Sequence, residues 1–105
     1  MNDSLRVTDD ESKAVQKTDH RVSLDSILAK IEGVEYFHPV MCPTMTVAFV
    51  KLKNGFIVIG ESAPADPTNF DAALGEKFAK ENAVRKIWPL EGYLLRETLT
   101  NTETI

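Results

Sequence analysis

Residues 45–63, which read MTVAFVKLKNGFIVIGESA, decide the fold of this chain. Two runs rich in β-branched and aromatic residues, the types enriched in strands, flank the pair Asn54 and Gly55. This pair is a strong hairpin signal, because a two-residue type I′ turn needs positive φ at both central positions. The stretch therefore predicts an antiparallel β-hairpin that is closed by a two-residue turn.

Such a turn also fixes the register, so that Leu52 lies opposite Ile57 and Val50 lies opposite Ile59. Successive side chains of a strand point to opposite faces of the sheet, and one face therefore collects the predicted core. The residues of this predicted core face are Ala48, Val50, Leu52, Ile57 and Ile59.

The other face of the predicted hairpin is also apolar, although two lysines interrupt it. A second layer must cover this face, because an isolated two-stranded hairpin is not stable. The cover is a helix, the loop 34–44 or another chain, and a second copy would give a two-fold homodimer. The interaction surface that we predict consists of Val47, Phe49, Phe56, Val58, Lys51 and Lys53.

A short amphipathic pattern precedes the hairpin. Apolar residues recur at i, i+3, i+4 and i+7 from Leu24 onward, which predicts a helix over 24–32. Ser23 can cap the start of this helix, and Gly33 suits the left-handed residue that ends one.

A longer helical pattern follows the hairpin. Its apolar residues share a broad face over 70–88, and Thr68 with Asp71 forms an approximate capping box at the start. Gly75 lies inside this predicted helix and favours close packing on the sheet. Pro89 interrupts the helical hydrogen bonds, so we expect a kink there. A short second helix or a strand follows, and the spacing of Leu90, Tyr93 and Leu94 favours the helix.

These elements predict an α+β fold with a short N-terminal helix, an antiparallel β-hairpin and a long C-terminal helix kinked at Pro89. Residues 34–37 can add a third strand at the edge. Residues 1–20 are polar and unphased, which indicates a disordered tail or a segment that folds on a partner. We therefore expect one α+β domain over 21–99 and a frayed end over 100–105.

Composition excludes several classes of function. The 105 residues carry a net charge of −4, whereas nucleic-acid-binding domains normally carry a basic face. No apolar run approaches the roughly 18 residues of a membrane span, and the start lacks the apolar stretch of a signal peptide. Cys42 is the only cysteine, which is typical of a reducing compartment. We expect a cytoplasmic protein that binds neither membranes nor nucleic acid.

Residues that could support catalysis or metal binding are few. His38 and Cys42 have the spacing H-x3-C, but a structural zinc ion commonly takes about four protein ligands. The proline-bounded loop does not orient the two residues as a nucleophile and base, and no phosphate-binding glycine motif occurs. The sequence therefore predicts a protein that is not an enzyme and needs no metal or cofactor.

The long helix carries a group of polar residues that consists of Glu81, Asn82 and Arg85. Glu81 and Arg85 have the i, i+4 spacing of a weak surface ion pair, worth about 0.3–0.5 kcal/mol. The functional alternative is a polar patch that faces a ligand or a partner.

A longer string of residues resembles the gene-product-49/gene-66 family of tailed-phage and prophage proteins. The string comprises NGFIVIGES at 54–62, NFD at 69–71 and ALGEKFAKENAVRKIWPLEGYLL at 73–95. The resemblance covers about 45–96, half of the chain, and implies a phage or prophage origin and a bacterial host cytoplasm. It supplies no activity and no catalytic residues.

Two functions from different classes fit these observations. The first is a non-enzymatic accessory protein that binds and modulates or inhibits a bacterial host component, such as a defence or replication protein. The second is an oligomer that sequesters a nucleotide signal, with Lys51, Lys53, Arg85 or Lys86 around its interface.

Overall fold

A computed structural model describes the backbone of residues 4–104 and the side chains through residue 101. It confirms the α+β class: one antiparallel sheet lies against one long helix, one short helix packs beside that long helix, and a second short helix packs against the first. The elements are α1 (Ser4–Val15), α2 (Leu24–Ala29), β1 (Ile31–Phe37), β2 (Thr46–Leu52), β3 (Ile57–Ser62), a 3-10 turn (Pro67–Asn69) and α3 (Ala72–Thr104). None of the helices in the described part is long and apolar enough to cross a membrane.

The sheet has three strands in the order β1-β2-β3, and both pairs of neighbours are antiparallel. The third strand at the edge is therefore real, and it begins at Ile31, three residues before the predicted start. The register of β1 against β2 shifts between Ile31 and Gly33, at the start of the strand.

The predicted hairpin exists, but its predicted register is wrong by one residue. The loop has three residues, since the Leu52 N–H donates to the Phe56 carbonyl at 2.8 Å, and the Gly55 N–H donates to the Leu52 carbonyl. Gly55 alone takes positive φ, at +92°, whereas a type I′ turn would also need positive φ at Asn54. The Asn54 side chain instead accepts from the Phe56 N–H at 3.0 Å.

The extra loop residue reverses the faces of β3 and leaves those of β2 as predicted. Val50 pairs with Val58, and both are buried under α3. Ile57 and Ile59, which the two-residue turn placed in the core, are 45% and 43% exposed. A one-residue slip has this effect because side chains alternate with a period of two.

The helix α3 approaches the sheet closely at two glycines. A Cβ added to Gly60 would meet the Ala79 carbonyl and lie 2.5 Å from the Ala83 nitrogen. Gly60 is therefore required by the close approach of α3. A Cβ on Gly75 would lie 2.6 Å from the Thr46 hydroxyl, which confirms close packing there.

Both ends of α3 differ from the prediction. Its N-cap is Asp71, whose carboxylate accepts from the Leu74 N–H at 2.9 Å. The predicted cap at Thr68 is wrong, because Thr68 belongs to a 3-10 turn that Asp66 caps. The helix continues through Pro89 to residue 104, so the predicted separate second helix is wrong. The predicted frayed end over 100–105 stays a prediction. The predicted kink at Pro89 is not confirmed.

The N-terminal segment is helical over Ser4–Val15, where the sequence predicts a disordered tail. The correction has a physical cause in two side chains that the polar composition concealed. Leu5 is buried in the core, and the buried Asp9 carboxylate accepts from Arg21 at 2.7 Å and from the Leu24 N–H at 3.1 Å. Residues 1–3 of the predicted tail lie outside the described residues.

The helix α2 begins as predicted and ends earlier. The Ser23 hydroxyl accepts from the Ser26 N–H at 3.1 Å, which confirms the predicted cap. The helix ends at Ala29 with Lys30 as its C-cap, so the predicted end at Gly33 is wrong. Gly33 lies in β1 instead, because the chain enters the sheet directly after the cap.

Candidate functional site

The sheet presents one face to α3 and leaves the other open to solvent. We call the open side the outer sheet face. Its central row crosses all three strands, because Glu35 pairs with Phe49 and Phe49 pairs with Ile59. The residues of the outer sheet face are Glu35, Phe37, Val47, Phe49, Lys51, Ile57, Ile59 and Glu61.

The outer sheet face is mostly apolar although it is exposed. Phe37 is 53% exposed, and Phe49 is 37% exposed. Ile57 and Ile59 of β3 are 45% and 43% exposed. Contiguous exposed apolar surface of this kind marks interaction sites more often than scattered exposed residues do.

The predicted interaction surface is partly found on this face. Val47, Phe49 and Lys51 lie on it, and Lys53 lies in the exposed hairpin loop next to it. Val58 is a correction, because the three-residue loop turns it into the core, where it is 6% exposed. Phe56 is a second correction, because it lies opposite Leu52 and therefore shares the side of Val58, although it is 55% exposed at the end of the hairpin.

Sequence reasoning missed Ile57 and Ile59, which take the outward positions of β3. A signal was present, since Asn-Gly also suits a three-residue loop with glycine in its last position. The loop length then decides which residues of β3 point outward.

The free edge of β3 is closed by side chains from α3. The Lys86 ammonium donates to the Ile59 carbonyl at 2.8 Å, and the Glu61 N–H donates to the Asn82 side chain at 3.0 Å. These contacts satisfy strand groups that would otherwise pair with another chain.

A second concave site lies between α3 and the end of β3, and we call it the α3–β3 cleft. It has a volume of about 530 Å³, and the start of α1 closes one side of it. The structure brings the predicted polar group of Glu81, Asn82 and Arg85 together here. The lining residues are Ser4, Glu61, Ser62, Leu74, Lys77, Phe78, Glu81, Asn82 and Arg85.

The expected surface ion pair of Glu81 does not form. Within residues 4–104 no cation lies within 4.0 Å of its carboxylate, and the residue is only 8% exposed. The Arg85 guanidinium instead donates to the Ser4 hydroxyl at 2.5 Å.

His38 and Cys42 each contact other groups in the described part of the chain. The His38 Nδ1 lies 2.9 Å from the Met45 carbonyl oxygen, and the ring meets Phe70 edge to face at 6.0 Å. The Cys42 sulfur has the Thr44 hydroxyl as its neighbour at 3.9 Å. Across the described part of the chain, no three His, Cys, Asp or Glu side chains come together as metal ligands.

Tyr36 and Asp9 lie outside these sites, and their pKa values differ from the ordinary ones. Burial raises the pKa of the Tyr36 hydroxyl, and the negative charge of Glu76 adds to the shift. Burial alone would raise the pKa of Asp9, but hydrogen bonds from Arg21 and from the Leu24 N–H bring it below its ordinary value. Both residues belong to the packed structure, so these shifts do not indicate a catalytic site.

A comparison with known families matches residues 22–99 to the phage protein (N4 Gp49/phage Sf6 gene 66) family. The chain belongs to this family. The resemblance seen over residues 45–96 is thereby confirmed and extends to α2 and β1. No curated protein and no solved structure matches the chain.

The matched region contains the whole outer sheet face and every residue of the α3–β3 cleft except Ser4. It begins after α1, so the helix over Ser4–Val15 is an addition to the part that the family model describes.

Proposed function

We propose that this phage-family chain is a non-enzymatic accessory protein that acts in the bacterial cytoplasm and binds a host protein through the outer sheet face. Binding would modulate or inhibit that host component, such as a defence or replication protein. The observation that carries the proposal is the row of exposed apolar side chains on a sheet whose other side packs on α3 through β2 and β3. These side chains are Phe37, Phe49, Ile57 and Ile59.

The chemistry of this face fits a protein partner. Its centre is aromatic and aliphatic, whereas Glu35, Lys51 and Glu61 stand at its margins. An apolar centre with a polar rim is the usual anatomy of a protein interface, and aromatic residues are enriched among the energetically dominant contacts.

The position of the face on a rigid layer adds to this support. Ala48, Val50 and Val58 anchor the same strands into the core from the opposite side. The outer side chains are therefore held in place before a partner arrives, which lowers the entropy cost of binding.

The test is affinity capture from a bacterial host lysate with the whole chain as bait. An Ile59→Lys bait places a charge in the central row of the face, where Ile59 is 43% exposed and lies outside the core cluster. A Val15→Lys bait is the matched control, because Val15 is 75% exposed and lies on α1.

We expect the parent chain and the Val15→Lys bait to recover the same protein in stoichiometric amount and the Ile59→Lys bait to lose it. Failure of the parent chain to recover a stoichiometric partner at micromolar concentration would refute the proposal. Retention of the partner by the Ile59→Lys bait would refute the assignment of the face.

A second copy of the chain is the alternative occupant of the outer sheet face. Light scattering of the purified protein separates the two cases. A monomer at high concentration supports a host partner, whereas a dimer that Ile59→Lys converts to a monomer assigns the face to self-association and contradicts the proposal.

The nucleotide-sequestering alternative remains a prediction with weaker support. Its four proposed cations lie apart: Lys51 is on β2 and Lys53 is in the hairpin loop. Arg85 lines the cleft, and Lys86 is engaged by the Ile59 carbonyl.

A further inference from the structure

The α3–β3 cleft contains a carboxylate whose charge is not neutralised. Glu81 is 8% exposed, and within residues 4–104 its carboxylate has no hydrogen bond or ion pair. Thr46 Oγ1 is the only fully enclosed side-chain atom of the described part that lacks a partner. The Glu81 oxygens are therefore not sealed in the core, and Glu81 lines the α3–β3 cleft. A largely buried charge without a partner is costly, so this site favours a positively charged occupant.

Two cations flank this carboxylate without pairing with it. Lys77 and Arg85 stand four residues before and after Glu81 on α3, so all three share one side of the helix and line the same cleft. Arg85 donates to Ser4, whose hydroxyl is neutral, and the charge of Arg85 is therefore not cancelled by that contact. The cleft thus presents one negative group between two positive groups.

The rest of the lining supplies apolar contact and a suitable size. Leu74 and Phe78 are 43% and 49% exposed and lie on the same side of α3. The volume of about 530 Å³ falls within the roughly 300–1,000 Å³ of ordinary ligand pockets.

We propose that the α3–β3 cleft binds a small zwitterion of the amino-acid type that carries an apolar side group. The ammonium group pairs with Glu81, the carboxylate pairs with Lys77 and Arg85, and the apolar group packs on Leu74 and Phe78. This site is separate from the outer sheet face and goes beyond the proposed function.

The charge pattern argues against simpler ligands. A polyanion such as a nucleotide would bring negative charge against Glu81 and also against Glu61, which lines the same cleft. A simple cation would satisfy Glu81 but leave Lys77 and Arg85 without a counter-charge. A zwitterion satisfies both signs at once.

The ligand side of the test is calorimetric titration of the full chain with three probes that differ by one group. L-phenylalanine carries both charges, phenethylamine lacks the carboxylate, and 3-phenylpropionate lacks the ammonium. We expect L-phenylalanine to bind saturably and each trimmed probe to bind about ten-fold more weakly or worse, since a charged hydrogen bond is lost. Absence of saturable L-phenylalanine binding, or equal affinity for the three probes, would overturn the proposal.

The protein side of the test uses a neutral variant of nearly the same shape. Glu81→Gln should weaken L-phenylalanine binding about ten-fold. Glu76→Gln, on the same helix but outside the cleft lining, should bind like the parent chain. Unchanged binding by Glu81→Gln would overturn the assignment.

A second variant keeps the test decisive if Glu81→Gln does not fold. Lys77→Met combined with Arg85→Met should weaken L-phenylalanine and leave phenethylamine unchanged, because phenethylamine has no carboxylate for these cations. Equal weakening of both probes would contradict the assigned roles. Lysate capture through the outer sheet face is unaffected by these changes, so the two proposals fail independently.

Discussion

Asp9 joins the N-terminal helix to the rest of the molecule through one carboxylate. Its Oδ1 accepts from the Arg21 guanidinium at 2.7 Å and from the Leu24 N–H at 3.1 Å, and the residue is 5% exposed. Composition could not reveal this role, because Asp9 stands beside Asp10 and Glu11 in a run that looks uniformly solvated. The decisive fact is which acidic residue of the run faces Arg21, and only the three-dimensional structure supplies it.

The stability of the protein should therefore depend on acid through Asp9. Its pKa in the folded chain is lowered from the ordinary 3.8, so its contribution is fully present above that pH. The contribution is lost as pH falls through the lower folded value. We expect Asp9→Asn to reduce the free energy of unfolding by about 1.5–3 kcal/mol at neutral pH, measured by urea denaturation.

The difference between Asp9→Asn and the parent chain should shrink as pH falls below about 4. Asp10→Asn is the control, since Asp10 is exposed on the same helix. A difference that stays constant from pH 7 to pH 3 would show that the charge of Asp9 is not responsible.

At the scale of elements, the contact between α3 and β3 depends on the absence of a side chain at Gly60. An added Cβ would collide with backbone atoms of Ala79 and Ala83, which cannot move without displacing the helix. We expect Gly60→Ala to cost at least about 1–3 kcal/mol of stability by overpacking. The midpoint of thermal unfolding measures this loss.

Gly92→Ala is the matched control for that experiment. Gly92 lies inside α3 itself, and a Cβ added there would have no atom within 4 Å. Alanine is a better helix former than glycine by about 1 kcal/mol, so this variant should be as stable as the parent or more stable. Similar losses in both variants would argue against the close contact at Gly60.

Secondary structure was largely predictable here, and the pairing of strands was not. The apolar spacing from Leu24, the Asn54 and Gly55 signal and the β-rich runs each lead to an element that the structure contains. The loop length was not determined, because the same dipeptide suits two-residue and three-residue loops. That single ambiguity moved Val58 inward and Ile59 outward, and it altered the predicted interaction surface more than any other error.

At the scale of the whole molecule, α1 is a short helix that depends on its contacts with the domain. Its 12 residues are too few for a stable isolated helix in water. Leu5, which is 7% exposed, joins it to the core cluster. The cleft was equally hidden from the sequence, since its wall includes Ser4 and Arg85, which are far apart in the chain.

Leu5→Ala should therefore lower the stability of the whole molecule by about 2–5 kcal/mol, the usual cost of truncating a buried leucine. Chemical denaturation followed by circular dichroism gives this value. Val15→Ala, at a residue that is 75% exposed on the same helix, should change it little. An equally small effect of Leu5→Ala would mean that α1 is held by its polar contacts alone.

Lys86 and Asn82 of α3 bind backbone groups on the free edge of β3, and this has a consequence for polymerisation. Fibrils grow by adding strands at both margins of a sheet, and these two side chains occupy one margin. Within residues 4–104, β1 at the opposite margin has no such side-chain covering. Strand addition through β1 would join two molecules into a six-stranded sheet with both ends blocked, so growth would stop at a pair.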